Sequence, residues 1–201
     1  AAVLDRYAEI ISVRDLYSEQ TLRSLGVTRP EIHLTADPAL LIDVSEDMQR
    51  YLRRSGLDED AQYLMLAVRP WEGFAEKAAA FARAADYARQ EYGLIPLLYA
   101  MEPGRDEAAC KAVADAMHGK HLQLSAGSDG AEVLALVRRM SLVVSMRLHT
   151  LIFAAGQGVP MVGVVYDPKV SGFLDYLGED LYLSLHEVTA ASLCDMIDGA
   201  M

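Results

Sequence analysis

An arginine and a histidine, Arg147 and His149, stand directly after a short, mostly apolar segment of this sequence. A planar guanidinium matches the geometry of a carboxylate or a phosphate, and an imidazole titrates near neutral pH and can both give and take a proton. The segment Leu142–Ser145 is β-branched and apolar, as expected of a strand buried on both faces. The pair therefore suits an anionic substrate in a reaction that also moves a proton.

A second group of polar residues, Tyr166, Asp167 and Lys169, follows the apolar segment Met161–Val165. Apolar residues recur at helical spacing between the two segments, so the unit is predicted to be a strand, a helix and a parallel strand. Ligands of open α/β sheets bind where the carboxyl ends of the strands meet, and helix N-termini at that edge favour anions. We therefore expect both groups of side chains to share one cleft.

The rest of the chain alternates short apolar segments with helical patterns. Further strands are predicted at residues 9–13, 32–34, 62–68, 94–100 and 181–183, with a short one beginning at residue 122. Helices are predicted from Ser18 to the residue before Gly26 and over residues 46–54, 74–92, 107–117, 131–140, 169–177 and 186–200. This alternation indicates a Rossmann-like α/β fold with a doubly wound parallel sheet, of unpredicted strand order.

Two more arginines, Arg14 and Arg69, stand at the carboxyl ends of predicted strands. Arg69 with Trp71 suits a site that holds a phosphate or stacks on a sugar, and packing of Trp71 against the next helix is an equal alternative. For Arg14 the alternative to substrate contact is an ion pair with Asp15 or a neighbouring carboxylate that fixes the loop.

Composition limits the classes of function. The 201 residues are 52% hydrophobic, enough for a sizeable core, and 29 acidic against 18 basic residues give a net charge of −11. This charge argues against a general nucleic-acid or anionic-membrane surface, so any anion site must be local. Cys110 and Cys194 form no CxxC or Cys/His cluster, which is typical of reduced, structural thiols in a cytoplasmic protein, and no metal site is predicted.

Several motifs together resemble the polysaccharide pyruvyl transferase family, the bacterial type that pyruvylates cell-wall polymers. They are Met146-Arg-Leu-His-Thr-Leu-Ile-Phe-Ala-Ala155, Tyr166-Asp-Pro-Lys-Val170 with Phe173-Leu174, Val13-Arg-Asp-Leu-Tyr-Ser18, Ala36-Asp-Pro-Ala-Leu40 and, more weakly, Val68-Arg-Pro-Trp71. They span nearly the whole chain in the family's order.

The resemblance implies a donor, phosphoenolpyruvate, and a ketal product formed with two hydroxyls of one sugar. His149 would be the general acid or base and Arg147 the bidentate partner of a donor anion. The auxiliary groups would be Arg14, Arg69 and Lys169 as cations, Tyr166 and Asp167 as hydrogen-bonding groups, and Leu148 through its backbone. Alternatively, His149 is a structural histidine and Asp167 only opens a helix whose first residue is proline. No cofactor or metal is implied.

The resemblance also predicts the organisation of the chain. Family members are similar to two-domain transferases of the GT-B type, and this chain would be the C-terminal half of one. We expect one Rossmann-like domain over residues 1–201, in which 1–30 are the connecting strand and helix from a missing N-terminal half and 31–201 the main domain. The isolated chain would then be inactive. We expect no signal peptide or transmembrane segment, and a cytoplasmic enzyme that can lie against the inner face of the membrane and act on a saccharide or lipid-linked saccharide.

Two other functions stay open at this point. A nucleotide-sugar glycosyltransferase would use the same sheet edge to grip a diphosphate, and a non-catalytic sugar- or anion-binding module would bind without turnover. A dinucleotide enzyme is disfavoured because no G-x-G-x-x-G joins a strand to a helix.

Overall fold

The computed structural model describes residues 1–42, 52, 54–127 and 130–201, in which strands and helices alternate. The strands are β1 (Ile10–Val13), β2 (Glu31–Leu34), β3 (Tyr63–Ala67), β4 (Ile95–Ala100), β5 (Leu122–Ser125), β6 (Leu142–Ser145), β7 (Met161–Val165) and β8 (Tyr182–Ser184). The helices are α1 (Ala2–Tyr7), α2 (Leu16–Ser24), α3 (Phe74–Tyr92), α4 (Glu107–Ala116), α5 (Gly130–Arg138), α6 (Leu148–Gly156), α7 (Pro168–Leu177) and α8 (Ala190–Ala200). None of these helices is long and apolar enough to cross a membrane.

Six parallel strands form the main sheet in the order β5-β4-β3-β6-β7-β8. The chain runs outward from β3 in one direction, returns to the centre, and runs outward from β6 in the other. This is the doubly wound arrangement, and it confirms the predicted fold class. The direction of winding reverses between β3 and β6, so the crevice at their carboxyl ends is the expected place for a ligand.

Helices cover both faces of this sheet. The strand residues Leu64, Leu66 and Val68 face one buried cluster, which α3, α4 and α8 complete. The alternate residues Tyr63 and Met65 face a second cluster, which α5, α6 and α7 complete. Burial on both faces explains why the central strands are continuous apolar runs.

The first strands stand apart from the main sheet. β1 and β2 pair in parallel with each other in a two-stranded sheet, with α2 between them in the chain. The predicted division at residue 30 falls just before β2, and the domain organisation stays a prediction. Ser18 was expected to cap α2, but the N-cap is Asp15, whose carboxylate accepts hydrogen bonds from the backbone N–H and hydroxyl of Ser18.

Two predicted helices need comment. The expected helix over residues 186–200 begins later, at Ala190, because Thr189 caps it, and a 3₁₀ helix at Leu185–Glu187 precedes it. The helix predicted over residues 46–54 lies outside the described residues, apart from residues 52 and 54.

Candidate functional site

The register of the central strands places two arginines side by side. Ala67 at the end of β3 is paired with Ser145 at the end of β6. Arg69 and Arg147 each lie two residues beyond this pair, so both emerge at the carboxyl edge where the winding reverses. The sheet therefore brings together two cations that are far apart in sequence, at the edge where α/β proteins bind ligands.

A cleft of about 290 Å³ opens at this edge. Its walls are Arg14, Arg69, Met101, Glu102, Arg147, Leu148, His149, Tyr166 and Lys169. All the predicted site residues except Asp167 are among them. We call this space the donor cleft, after the role that is proposed for it below.

Two carboxylates that the sequence analysis did not assign hold Arg147. Its Nε donates to Asp106 Oδ2 at 2.8 Å, and its Nη2 donates to Asp106 Oδ1 and to Glu102 Oε2, the latter at 3.0 Å. Asp106 is fully buried, whereas Glu102 is exposed at the cleft wall. Burial opposes the charged form of Arg147, but these two carboxylates outweigh it and raise its pKa. Only Nη1 lacks a partner among the described residues.

The sequence did contain one signal for these carboxylates. The loop with Glu102 and Asp106 follows the predicted strand at residues 94–100, and the carboxyl ends of parallel strands meet at one edge of the sheet. Only the strand order, which the sequence does not predict, shows that this loop lies beside Arg147.

The start of α6 presents backbone N–H groups beside Arg147. Ser145, which is buried, accepts a hydrogen bond from Arg147 N at 2.9 Å and donates one to Arg147 O at 3.0 Å. Arg147 is the N-cap residue, so the N–H groups of Leu148 and His149 belong to the first turn, which has no intrahelical acceptor. Such free N–H groups attract anions.

Of the four lysine and arginine side chains that line the donor cleft, Arg69 is the one without a carboxylate partner among the described residues. It is 7% exposed, and its Nη1 donates to Tyr166 Oη at 2.8 Å. Its guanidinium carbon lies 5.2 Å from the ring centre of Trp71 and 5.1 Å from that of Tyr166. Its buried Nε has no hydrogen-bond partner. Arg69 lines the cleft and has no carboxylate partner among the described residues, so it is a candidate for binding an anion through N–H groups other than the enclosed Nε.

The contacts of Arg14 are those of the ion-pair alternative, and its contact with substrate stays a prediction. Arg14 lines the donor cleft, and its Nη1 contacts Asp37 Oδ2 at 2.6 Å. Asp37 also accepts from Ala39 N at 2.9 Å. Burial would raise the pKa of Asp37, but this backbone bond and Arg14 lower it on balance, so the carboxylate is ionised and the loop is fixed.

Lys169 and Asp167, at the start of α7, have different roles in the structure. Lys169 reaches the donor cleft, with its Nζ 5.7 Å from the Tyr166 ring centre and 3.8 Å from Asp167 Oδ2. Asp167 instead caps α7 by accepting from Lys169 N at 3.0 Å, with Pro168 at the first helical position. The capping alternative for Asp167 thus describes its contacts in this structure.

The surroundings of His149 favour a neutral imidazole. Burial lowers its pKa below the usual 6.5, and the positive charges of Arg14, Lys169 and Arg147 lower it further, against a smaller opposite effect of Asp37. A neutral imidazole at pH 7 can accept a proton from a hydroxyl. Within the described residues, no group of three or more His, Cys, Asp or Glu side chains comes together to hold a metal ion.

Comparison with known proteins gives a family and a fold. The sequence model of the polysaccharide pyruvyl transferase family matches residues 1–168. No curated protein sequence matches the chain.

Solved structures resemble the chain at low sequence identity. UDP-GlcNAc 2-epimerase from Methanocaldococcus jannaschii has a TM-score of 0.70 and 13% identity over 98% of this chain and 56% of its own. A family 9 glycosyl transferase from Veillonella parvula has a TM-score of 0.54 and 17% identity over 90% and 56%. ADP-heptose LPS heptosyltransferase II from E. coli has a TM-score of 0.58 and 13% identity over 79% and 52%. The chain thus spans about half the length of these proteins and shares their fold.

Proposed function

The chain belongs to the polysaccharide pyruvyl transferase family, and we propose that it binds phosphoenolpyruvate for transfer of the pyruvyl group to a sugar. The acceptor would be two hydroxyls of one sugar in a cell-wall or exopolysaccharide polymer, and the product a cyclic pyruvate ketal. The chain spans about half the length of the solved structures that it matches, so the complete reaction is proposed for the full-length enzyme.

The observation that carries this proposal is the state of Arg69. Four cationic side chains line the donor cleft, but Arg14, Arg147 and Lys169 each lie within 4 Å of a carboxylate oxygen. Arg69 is buried, faces two aromatic rings and has no carboxylate partner among the described residues. Phosphoenolpyruvate carries a carboxylate and a phosphate ester on the same carbon, C2, and it would supply the missing negative charge.

The two anionic groups of the donor can be placed on different sets of donors. One would bind Arg69, and the other would bind the first N–H groups of α6 together with Nη1 of Arg147. Because Asp106 already occupies Nε and Nη2 of Arg147, that arginine would offer the donor a single contact through Nη1. Lys169 and Arg14 would stabilise the negative charge that develops on the leaving phosphate.

The chemistry needs a proton acceptor next to the donor, and His149 fits that role. The first sugar hydroxyl adds to C2 of the enol and its proton passes to the neutral imidazole, and the imidazolium so formed delivers a proton to C3, which becomes the methyl group. The second hydroxyl then adds to C2 as the C2–O bond to phosphate breaks, and its proton leaves with the phosphate. Two hydroxyl protons are thus accounted for, one on the methyl group and one on inorganic phosphate.

The test is ketal formation by the full-length enzyme with His149→Gln. Glutamine keeps a polar side chain of similar length but cannot take up a proton, so turnover should fall by at least about a hundredfold with the fold intact. Circular dichroism checks the fold, and release of inorganic phosphate measures turnover. Near-native turnover of the variant would exclude His149 as the acid–base group.

A further inference from the structure

A second pocket of about 280 Å³ adjoins the donor cleft. It is lined by Trp71, Val165, Tyr166, Asp167, Pro168, Ser171, Ser184, Leu185 and His186. Tyr166 belongs to both walls, so the two spaces are neighbours across one phenol ring. We call this space the tryptophan pocket.

The indole of Trp71 forms an open aromatic wall of this pocket. Trp71 is 45% exposed, although indole is among the largest apolar side chains. Its ring centre lies 4.7 Å from that of Tyr166 at an interplanar angle of 58°, and the Arg69 guanidinium lies 5.2 Å away. These contacts hold the indole in place and leave part of it available to a ligand.

The polar groups around this indole differ from those of the donor cleft. No lysine or arginine lines the tryptophan pocket, whereas three arginines and a lysine line the donor cleft. Its polar side chains are instead two serines, a histidine and the carboxylate of Asp167. The Ser184 hydroxyl accepts from His186 N at 3.4 Å and keeps its own proton for donation, and Ser171 bonds to Pro168 O at 3.1 Å.

An aromatic platform edged by hydroxyl, imidazole and carboxylate groups matches a neutral sugar ring. The C–H face of a pyranose is apolar and packs on indole, while its equatorial hydroxyls need donors and acceptors at the rim. An anion is disfavoured here because Asp167 is the charged side chain of the lining.

We propose that the tryptophan pocket is a saccharide subsite, in which a neutral sugar ring stacks on Trp71. Its place across Tyr166 from the donor cleft puts the bound sugar next to the phosphoenolpyruvate proposed above, on which its role as acceptor subsite rests. Asp167, which does not line the donor cleft, then has a contact with substrate as well as its capping bond.

The first test uses the indole as its own reporter. Trp71 is the single tryptophan of the chain, so the tryptophan fluorescence comes from this wall of the pocket. The probes are a panel of neutral methyl glycosides of hexoses and N-acetylhexosamines, each raised to about 50 mM because single sugars bind weakly. We expect saturable quenching or a spectral shift by at least one glycoside. No saturable change with any of them would overturn the proposal.

Matched variants locate the binding. Calorimetry with the best glycoside should show at least about a tenfold loss of affinity in Trp71→Ala and retention in Trp71→Phe, which keeps an aromatic face. Ser171→Phe leaves Trp71 and Arg69 in place and fills the pocket, so it should also abolish glycoside binding. Unchanged affinity in both Trp71→Ala and Ser171→Phe would place the sugar elsewhere and overturn the proposal.

Separate titration with phosphoenolpyruvate distinguishes this proposal from the function on which it rests. Glycoside binding without phosphoenolpyruvate binding would support the saccharide subsite and contradict phosphoenolpyruvate as the donor. Phosphoenolpyruvate binding without glycoside binding would support the proposed function and overturn the saccharide subsite. Quenching of Trp71 by uridine diphosphate alone would show that the indole stacks on a base, and would overturn the saccharide assignment.

Discussion

His149 lies among charges that set its protonation state, and Arg14 is the largest contributor among them. Because burial and nearby cations lower its folded pKa below 6.5, the imidazole loses its proton at a lower pH than a free histidine. The rate of a reaction that needs neutral His149 should therefore fall to half at a pH below 6.5, as the pH drops through the lowered pKa.

Removing Arg14 should raise the pH below which the rate falls. In Arg14→Ala a positive charge near the imidazole is lost, and Asp37 is left without its partner, so the pKa of His149 should rise. NMR titration of the imidazole Cε1–H signals measures it directly, with His149→Gln to assign the signal. A pKa that stays unchanged or falls in Arg14→Ala would contradict this electrostatic account.

Glu102 places a negative charge at the wall of the donor cleft, where it would repel the proposed donor. The hydrogen bond from Arg147 is the largest influence on Glu102 and lowers its pKa, so its carboxylate is ionised at neutral pH at the wall of the donor cleft. Glu102→Gln removes a negative charge facing the donor, and should tighten phosphoenolpyruvate binding by about threefold.

Calorimetry compares this variant with Asp115→Asn, which alters an exposed ion pair with Lys111 away from the cleft. Asp115→Asn should bind like the wild-type chain. Weaker binding in Glu102→Gln would mean that Glu102 supports the donor site instead of repelling the donor.

At the scale of elements, the loop after β4 ties two parts of the sheet edge together. Asp106 precedes α4, accepts from Glu102 N at 2.9 Å within its own loop and holds Arg147 at the start of α6. Asp106 is fully buried, so loss of its charge leaves Arg147 poorly compensated. Asp106→Asn should lower the free energy of unfolding by about 3 kcal/mol.

Urea denaturation measures this loss against Asp115→Asn. That control removes an exposed pair on α4 and should cost less than about 0.5 kcal/mol. Equal stability of the two variants would show that the Asp106–Arg147 contact does not hold the edge together.

Strand β7 and helix α7 meet at a glycine. A Cβ added to Gly163 would clash with the Leu174 side chain and lie 3.1 Å from Tyr182 Cβ, so the helix packs against the bare backbone of the strand. Gly163→Ala should therefore destabilise the chain by about 1–3 kcal/mol.

Gly172 on α7 is the matched control. It has open space around it and no left-handed φ, so Gly172→Ala should stabilise by about 0.5–1 kcal/mol. Thermal or urea unfolding of both variants shows whether Gly163→Ala lowers the stability and Gly172→Ala raises it. A neutral Gly163→Ala would mean that α7 shifts freely on the sheet.

The sequence predicted local elements well and their neighbours poorly. Leu142–Ser145 and Met161–Val165 are strands as predicted, because runs of buried apolar residues specify a parallel strand without help from the rest of the chain. The partners of Arg147 were not predicted, because Asp106 and Glu102 are 41 and 45 residues away and only strand order brings them close. Arg69 was recognised as a candidate cation. That no carboxylate of the described residues pairs with it depends on the tertiary structure and could not be predicted.

At the scale of the whole molecule, the chain is acidic, and its proposed anion would bind through one local cluster of cations. A net charge of −11 repels a multiply charged anion at long range, so affinity must come from contacts at the carboxyl edge of the sheet. The two adjoining pockets divide this edge by charge, with cations around the donor cleft and neutral polar groups around Trp71. That division is what a reaction between an anionic donor and a neutral sugar requires.

The most direct measurement is calorimetric titration of this chain with phosphoenolpyruvate, compared with Arg69→Gln and with Arg83→Gln, an exposed arginine on α3 as control. The account predicts one site per chain, a Kd raised at least about tenfold in Arg69→Gln, and wild-type affinity in Arg83→Gln. Absence of binding, or binding unaffected by Arg69→Gln, would contradict it. Binding of a uridine diphosphate sugar in place of phosphoenolpyruvate would favour glycosyl transfer at the same cleft.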